Sequence, residues 1–440
     1  MKVLILGSGK SGLSADEFLK ESGYETEFAK SDDINSNFLK KDYLDRLFNG
    51  LSFIVKSPGI SNFNNLICEA KARGIKVVNE FEIGANSLKG ETIAITGTNG
   101  KTTTVSLIYS LLGEENVFLG GNIGVPVTKF AKKTNNSSLS ILEVSSFQLD
   151  GIKNFKPKIS AILNIASDHL NYHKTIKNYI NAKFTICKFQ TENDFLILNA
   201  DDEYLKNHIP KTKAQIFYFS LKNKVKGCYL SRGCIYFNDN KKTQKLGSIK
   251  NINLVGDHNK SNVLCAVLAA QLSGRKFDIS KLNNFNLDKH RIEYVDKISG
   301  VEFYDDSKAT NISSTLASTK CFKRKINLIL GGSDKGYAFD ELFSNLPKNV
   351  VRIAAYGQTR FSILKSAKKY NFNEIFGCKT LGEATKRLFD LSKSNEIILL
   401  SPGCASFDQF NGYAERGAFF VNFVEELKNE SISGRCQKKT

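Results

Sequence analysis

The chain has 440 residues, 41% of them hydrophobic, and this length predicts roughly three domains. It contains no run of about 18 apolar residues, and glycines interrupt its amino terminus too early for a secretory signal, so we expect a cytoplasmic protein without membrane insertion. The nine cysteines include no C-x-x-C pair, which is typical of free thiols in a reducing compartment.

The net charge of +18 favours an anionic partner. Nucleic acid is one class of such partner, but the lysines are dispersed and no basic stretch is interleaved with aromatic residues. A positive field would also attract small anions such as nucleotides and carboxylates. We therefore expect small-molecule substrates, no nucleic-acid partner and a monomeric protein.

The first segment, residues 1–89, alternates predicted strands and helices, which is typical of an α/β fold with a parallel sheet. The predicted strand Lys2–Leu6 leads into Gly7–Gly12, whose G-x-G-x-x-G spacing lets a diphosphate approach the backbone. A second predicted strand, Ser52–Val55, leads into Ser57–Ile60. A lone glycine run does not say which nucleotide binds, so a dinucleotide-dependent oxidoreductase stays open here.

The second segment, residues 90–287, begins with Ile93–Thr104 (IAITGTNGKTTT), which predicts a strand, a glycine-rich loop and the start of a helix. Backbone N–H groups at such a helix start attract phosphate, Lys101 adds a full charge, and Thr102 offers a hydroxyl to magnesium. The first glycine of the usual G-x-x-x-x-G-K-[ST] pattern would fall at Ile95, so this is a variant loop. The candidate nucleotide ligands are Gly97, Thr98, Asn99, Gly100, Lys101, Thr102 and Thr103.

Glu143 lies at the carboxyl end of an apolar run, next to the last residue of the predicted strand Ser140–Val144 and one strand away from the phosphate loop. This position favours a magnesium ligand over a buried carboxylate held by backbone donors.

His169 follows the predicted strand Ser160–Ile165, and a lone histidine is more often structural than a ligand. Lys183 lies in a predicted helix, Ile176–Phe189, where its amine either extends to solvent or is desolvated, partly neutral and open to modification.

The third segment, residues 288–440, contains four predicted strands, Val301–Tyr304, Ile326–Leu330, Arg352–Tyr356 and Glu396–Leu400. Three of them end in polar or glycine-rich loops, and ligands bind at the carboxyl ends of strands in open α/β sheets. These loops therefore predict a carboxylate-binding site. Before them, Arg291 is either a phosphate clamp or part of a salt bridge at the domain boundary.

Several longer motifs follow one another along the chain. They are Glu143–Leu149 (EVSSFQL), Asn164–Leu170 (NIASDHL), Tyr179–Lys183, Gly256–Asn262 (GDHNKSN), His290–Glu293 (HRIE), Asp306–Asn311 (DSKATN), Gly331–Gly336 (GGSDKG) and Ser401–Phe410 (SPGCASFDQF). Together with the phosphate loop they resemble the motifs of the Mur ligases, ATP-dependent enzymes that build the peptidoglycan stem peptide. The resemblance covers nearly the whole chain, and DSKATN is its most discriminating part.

The resemblance implies three α/β domains: a Rossmann-like domain that binds a UDP-linked substrate (1–89), a central P-loop-type ATPase domain (90–287) and a Rossmann-like domain that binds an amino acid (288–440). It implies that ATP phosphorylates the carboxylate of UDP-N-acetylmuramoyl-L-alanine, and that the amine of D-glutamate then displaces the phosphate. The alternatives are another amino-acid ligase of the same family and the oxidoreductase suggested by Gly7–Gly12.

The resemblance also implies roles for single residues. Lys101 would be catalytic, and two magnesium ions would be held by Thr102 with Glu143 and by His169 with a carbamylated Lys183. ATP would also contact Asn259, Arg291 and Asp306. The UDP-linked substrate would contact Lys10, Ser11, Pro58, Gly59, Asn122, Ser145 and Gln148. D-glutamate would be held by Lys308, Thr310, Lys335, Ser406 and Tyr413. Lys10, Ser11 and Tyr413 depart from the family's usual apolar residue, threonine and phenylalanine.

Overall fold

The computed structural model describes residues 1–35, 39–113, 115–252, 256–285, 289–334 and 338–437, so Lys335 lies outside the described residues. The described chain is a mixed α/β protein whose strands form three sheets, and the predicted α/β class is confirmed. Contacts divide the chain into two compact units. The first unit comprises Met1–Ile252 and Lys260–Phe285, and the second comprises the remaining described residues. Within the described ranges, no helix is long and apolar enough to cross a membrane.

The amino-terminal sheet belongs to the first unit and is parallel throughout. It contains β1 (Lys2–Leu6), β2 (Glu25–Phe28), β3 (Leu51–Lys56) and β4 (Val77–Asn79), in the spatial order β2-β1-β3-β4. The helices of this region are α1 (Lys10–Lys20), α2 (Ser31–Asn35), α3 (Lys41–Phe48), α4 (Asn65–Ala72) and α5 (Glu80–Ser87). The two strands predicted here are confirmed as β1 and β3. Because α1 begins inside the glycine run, that run joins a strand to a helix, as its spacing predicts.

The central sheet, also in the first unit, begins with β5 (Glu91–Thr96), β6 (Val117–Gly121), β7 (Leu139–Glu143), β8 (Ile159–Ile162) and β9 (Phe195–Asn199). It continues with β10 (Gln215–Ser220), β11 (Gly227–Ser231), β12 (Cys234–Asn238) and β13 (Thr243–Ser248). The spatial order is β13-β12-β11-β10-β9-β8-β5-β7-β6, so β5, which leads into the phosphate loop, lies between β7 and β8. Helices in this region are α6 (Lys101–Leu112), α7 (Ser146–Leu149), α8 (Leu170–His173), α9 (Ile176–Phe184), α10 (Glu203–Asn207) and α11 (Asp257–Leu272). Short 3₁₀ helices cover Val127–Lys129, Ala131–Lys133, Thr185–Cys187 and Ile279–Asn284.

Two predicted boundaries in the central region are wrong. The strand predicted to reach Ile165 ends at Ile162, because the following Asn164 bonds to the phosphate loop instead of to a neighbouring strand. The helix predicted to reach Phe189 ends at Phe184. There the hydroxyl of Thr185 donates to the backbone oxygen of Asn181 at 3.0 Å, and the chain continues as a 3₁₀ turn.

The antiparallel end of the central sheet was not predicted. β11 pairs with β12 and β12 pairs with β13, both antiparallel. Arg232 and Gly233 connect β11 to β12 with φ angles of +50° and +76°, which is typical of a two-residue hairpin turn.

The third sheet belongs to the second unit and contains β14 (Glu293–Ile298), β15 (Val301–Asp305), β16 (Ile326–Gly331), β17 (Val350–Tyr356), β18 (Ile375–Gly377) and β19 (Ile397–Leu400). The order is β14-β15-β19-β16-β17-β18, with β14 antiparallel to an otherwise parallel sheet. Its helices are α12 (Ile312–Thr319), α13 (Asp340–Ser344), α14 (Arg360–Lys369), α15 (Leu381–Leu391) and α16 (Tyr413–Gln437). The four predicted strands are confirmed as β15, β16, β17 and β19. Since β19 lies between β15 and β16, the loops after these three strands meet at one sheet edge.

Candidate active site

The phosphate loop between β5 and α6 has a backbone that strongly favours glycine at two positions. Gly97 has a φ of +153° and Gly100 a φ of +84°, and a Cβ on Gly100 would lie 2.4 Å from Oδ1 of Asn262. Oδ1 of Asn164 accepts a hydrogen bond from the backbone N–H of Asn99 at 2.8 Å. The loop is therefore held at the amino end of α6, where N–H groups and the helix dipole can bind an anion.

Two lysines contact the same carbonyl of this loop. Nζ of Lys101 donates to the backbone oxygens of Gly97 and Thr98, at 2.9 Å each, and Nζ of Lys183 donates to that of Gly97 at 2.8 Å. Lys183 is 1% exposed, so the interpretation that its amine extends to solvent is wrong. Burial, and then the like charge of Lys101, hold the pKa of Lys183 well below its usual value. Its neutral amine is therefore favoured.

Glu143 is buried at the end of β7, and both of its carboxylate oxygens have side-chain donors. The hydroxyl of Thr102 donates to Oε2 and Nδ2 of Asn122 donates to Oε1, each at 2.8 Å. A carboxylate beside a hydroxyl is a set of hard oxygen atoms, which suits Mg²⁺. The residues present therefore fit the predicted magnesium site at Thr102 and Glu143.

His169 directly precedes α8 and has a φ of +54°, and its side chain is partly exposed. Nε2 lies 3.7 Å from Oδ2 of Asp168, and the ring packs 4.6 Å from that of Phe147 and 6.4 Å from that of Tyr179. Tyr179 reaches the phosphate loop as well, because its hydroxyl lies 2.9 Å from Oγ1 of Thr98. The amine of Lys183 lies over the same Tyr179 ring, 4.6 Å from its centre. Tyr179 thus connects the predicted ligands His169 and Lys183 with the loop.

Ser145 and Gln148, predicted to contact the UDP-linked substrate, bond to each other. Oε1 of Gln148 accepts from the backbone N–H of Ser145 at 2.9 Å, and the backbone N–H of Gln148 donates to Oγ of Ser145 at 3.3 Å. This reciprocal capping box fixes the start of α7, and both side chains are buried.

The amino-terminal sheet brings its two predicted substrate loops together. Oγ of Ser57 donates to the backbone oxygen of Gly7 at 3.3 Å, and a Cβ on Gly12 would lie 1.9 Å from that same oxygen. The loop that carries Lys10 and Ser11 therefore adjoins the loop that carries Pro58 and Gly59.

Asp306 follows β15 in the second unit and turns its carboxylate into the protein. Oδ2 accepts hydrogen bonds from Oγ of Ser318 at 2.5 Å and Oγ of Ser401 at 2.8 Å. Burial raises the pKa of Asp306 to about 7, although these hydroxyls and Arg291 lower it. The carboxylate of Asp306 therefore connects the loop after β15 with α12 and with the end of β19. Its contact with ATP stays a prediction.

Of the residues predicted to bind D-glutamate, four lie among the described residues of the second unit. Nζ of Lys308 lies 5.5 Å from the ring centre of Tyr413, at the start of α16. Ser406 is buried, and Thr310 is partly buried in the loop before α12. All four follow β15 or β19, whose carboxyl ends are adjacent.

Arg291 and Asn259 also lie in the second unit, whereas the phosphate loop lies in the first. Nε of Arg291 is buried and has no hydrogen-bond acceptor among the described residues. A buried guanidinium donor without a partner is consistent with the predicted phosphate clamp. Next to it, Nδ1 of His290 lies 2.6 Å from Oδ2 of Asp305, which raises the pKa of His290.

Two comparisons with known proteins bear on the family. Residues 95–270 match the Mur ligase middle domain. UDP-N-acetylmuramoylalanine–D-glutamate ligase of Lachnoclostridium phytofermentans is 37% identical over 448 residues, covering 98% of this chain and 99% of that protein. The chain belongs to the Mur ligase family.

Two solved structures of ligases share the fold of this chain. A pseudomurein peptide ligase type C from Methanothermus fervidus has a TM-score of 0.62 at 18% identity, with 97% of this chain and 100% of that chain covered. The MurF ligase from Thermotoga maritima, solved in complex with ADP, has a TM-score of 0.57 at 18% identity and covers 90% of this chain and 92% of that chain.

The sequence analysis of this Mur ligase missed a buried lysine at the end of β3. Lys56 is 2% exposed, and its Nζ donates to the backbone oxygen of Ile60 at 2.9 Å and to the hydroxyl of Tyr172 at 3.2 Å. That hydroxyl donates to Oδ2 of Asp150 at 3.2 Å. Burial lowers the pKa of Lys56 to about 8. No local pattern distinguishes this lysine from exposed ones. Tyr172 and Asp150 lie more than 90 positions away in the sequence, and the backbone oxygen of Ile60 comes within reach only through the turn after β3.

Proposed function

We propose that this Mur ligase uses ATP to join D-glutamate to UDP-N-acetylmuramoyl-L-alanine in the synthesis of a peptidoglycan precursor. The observation that carries the proposal is the phosphate loop, where Lys101 contacts the loop carbonyls and Thr102 bonds to the buried Glu143. The identity of 37% to a D-glutamate ligase over almost the full length supports the choice of amino acid. The oxidoreductase alternative rests on Gly7–Gly12 alone and leaves the phosphate loop unexplained.

The reaction needs phosphorylation because a carboxylate is a poor electrophile at neutral pH. An oxygen of the alanine carboxylate attacks the γ-phosphorus of ATP, ADP leaves, and an acyl phosphate forms. The amine of D-glutamate then attacks the acyl carbon. Phosphate leaves with the electron pair of the C–O bond, and the nitrogen loses a proton. Lys101 offsets the negative charge of the transferring phosphoryl group, which is where catalysis of phosphoryl transfer mainly acts.

Thr102 and Glu143 would hold one magnesium ion, and His169 with a carbamylated Lys183 would hold a second. Magnesium supplies charge neutralisation and alignment of the phosphate oxygens. The neutral amine favoured at Lys183 is the form that reacts with carbon dioxide, because its nitrogen then carries a free electron pair.

Substrate contacts are proposed for two sets of residues. The UDP-linked substrate would lie against Lys10, Ser11, Pro58, Gly59, Asn122, Ser145 and Gln148, and D-glutamate against Lys308, Thr310, Lys335, Ser406 and Tyr413. ATP would also contact Asn259, Arg291 and Asp306. We also propose that the segments 1–89, 90–287 and 288–440 act as three domains of a cytoplasmic monomer, whose mass can be measured by light scattering.

A panel of amino acids tests this function. Phosphate release from ATP is measured with UDP-N-acetylmuramoyl-L-alanine and, separately, D-glutamate, L-glutamate, L-alanine, L-lysine or meso-diaminopimelate. Of these amino acids, we expect only D-glutamate to cause phosphate release. We expect no release when the UDP-linked substrate is omitted. Release driven by another amino acid instead would assign the chain to a different ligase activity of the family.

A further inference from the structure

Arg416 is the largest fully buried side chain among the described residues, and it lies one helical turn into α16. It is 0% exposed, and its guanidinium donates to two loops of the second unit. Nε donates to Oγ of Ser307 at 2.9 Å, and the two terminal nitrogens donate to the backbone oxygens of Ser307, Cys404 and Ala405 at 2.8 to 3.2 Å. A single side chain thus joins the loop after β15 to the loop after β19.

The loop after β16 also comes close to this guanidinium. A Cβ on Gly332 would lie 3.1 Å from one terminal nitrogen of Arg416 and 2.1 Å from the oxygen of Ala405, so this loop passes close over the same group. Oγ of Ser307, which accepts from Arg416, donates to the backbone oxygen of Tyr413 at 2.8 Å. Arg416 therefore contacts, directly or through Ser307, the loops that precede or carry Lys308, Ser406 and Tyr413.

The charge of Arg416 has neutral partners. Among the described residues, no carboxylate forms an ion pair with it, and its acceptors are carbonyl and hydroxyl oxygens. A buried charge that forms no direct ion pair is costly. An anionic ligand above these loops would offset that cost, and a dicarboxylic amino acid supplies such charge.

We infer that Arg416 is a positioning residue for the amino-acid site, and that it sets the geometry and positive potential of the three loops that receive a dicarboxylic substrate. The inference rests on the proposed function. Lysine cannot replace arginine here, because one ammonium group cannot reach the four acceptor atoms that the planar fork contacts.

The test measures the KM of each substrate for the purified full-length protein carrying Arg416→Lys or Ser307→Ala. We expect Arg416→Lys to raise the KM for D-glutamate about tenfold or more, as for loss of hydrogen bonds to a charged group, with the KM values for ATP and the UDP-linked substrate changed less than about twofold. Ser307→Ala keeps the charge and removes one acceptor, so it should raise the same KM by a smaller factor. If Arg416→Lys does not fold, Ser307→Ala still tests the positioning role of Arg416.

Val424→Ala is the matched control, because Val424 is fully buried in the same helix and belongs to the core. It should lower the melting temperature and leave all three KM values unchanged. An unchanged KM for D-glutamate in both Arg416→Lys and Ser307→Ala, or an equal rise of all three KM values, would overturn the inference. Wild-type protein that shows no D-glutamate-dependent phosphate release would overturn the proposed function itself, and the inference with it.

Discussion

The phosphate loop of the first unit and the carboxyl-end loops of the second unit handle buried charge differently. In the first unit, Lys101 and Lys183 both contact the oxygen of Gly97, with the carboxylate of Glu143 bonded to the neighbouring Thr102. In the second unit, the fully buried guanidinium of Arg416 donates to neutral acceptors. In the first region a carboxylate thus bonds to a residue of the phosphate loop, whereas in the second the buried carboxylates Asp305 and Asp306 form no ion pair with the cation that joins the loops.

The difference matches the chemistry proposed for each region. Phosphoryl transfer moves charge between oxygens, so groups of both signs and metal ligands are needed close to the reacting atoms. Binding of a dicarboxylate needs a fixed positive potential and correctly oriented donors. Removing a charge from the first region should therefore abolish turnover, whereas removing a charge from the second should weaken the binding of one substrate.

The largest effect is expected from Lys101→Met. This change removes the charge proposed to stabilise the transferring phosphoryl group and two hydrogen bonds to loop carbonyls, so phosphate release should fall at least about 1,000-fold. Lys206→Met is the control, because Lys206 is an exposed lysine of the same unit whose ion pair among the described residues is with its helix neighbour Glu203, at 2.9 Å. Near-normal turnover of a folded Lys101→Met protein would contradict the catalytic role.

Glu143→Gln keeps the size of the side chain and removes its charge. We expect phosphate release to fall about 100-fold or more, and the magnesium concentration for half-maximal rate to rise, because an electrostatic partner of the reacting phosphates is lost. Ser140→Ala changes another buried residue of β7, whose hydroxyl has no partner among the described residues, and should leave the magnesium requirement unaltered. A magnesium titration of the three proteins decides between a ligand and a structural carboxylate.

Lys183→Ala tests the proposed carbamylation of the buried amine in the first region. If Lys183 is carbamylated, phosphate release should fall about 100-fold, and acetate or formate in the buffer should restore part of it by replacing the lost carboxylate. ¹³C-labelled bicarbonate provides an independent readout, since a carbamate carbon gives its own NMR signal in wild type and none in Lys183→Ala. Absence of that signal from active wild-type protein would refute the modification.

The residues of the first region could be predicted because they are local in sequence. β5, Gly97, Gly100 and Lys101 follow one another, so strand, loop and helix start were recognisable from the pattern alone. Strand and helix ends were less predictable, because Ile162 ends β8 only through a contact that Asn164 makes with a loop 65 positions earlier. The family resemblance supplied roles for His169 and Lys183 that the residues themselves left open.

The organisation of the second region could not be predicted in the same way. Arg416 and Ser307 are 109 positions apart, and they meet because β19 inserts between β15 and β16. In the sequence, Arg416 lies between Glu415 and Gly417 and is not distinguishable from a solvated arginine. Lys56 shows the same limit in the first unit. Burial of a long cation depends on topology, which local patterns do not contain.

Asp306→Asn should change how stability depends on pH. The folded protein holds the Asp306 proton more tightly than the unfolded chain, since its pKa is raised to about 7. The contribution of this raised pKa to the free energy of unfolding is greatest below about pH 4 and is lost as the pH rises through 7. Wild type should therefore lose a few kcal/mol of stability relative to Asp306→Asn over that range. Asp340→Asn should show the opposite sign, and only below about pH 4, because Lys369 and then Ser366 hold the pKa of the partly exposed Asp340 below its usual value. Chemical unfolding from about pH 2 to pH 8 measures both, and parallel curves for wild type and Asp306→Asn would contradict the prediction.

The smallest effect concerns Lys56, a buried cation of the first unit that donates to the hydroxyl of Tyr172, which in turn donates to Asp150. Its folded pKa of about 8 lies below the unfolded value of 10.5, so between these pH values the unfolded chain binds more protons and stability should rise with pH. Wild type should therefore gain about 2 kcal/mol relative to Lys56→Met between pH 8 and pH 9.5. Lys56→Arg keeps its charge throughout, so its difference from Lys56→Met should stay constant with pH. A constant difference for wild type as well would mean that Lys56 stays protonated in the folded state, and that both units retain a permanently charged buried cation.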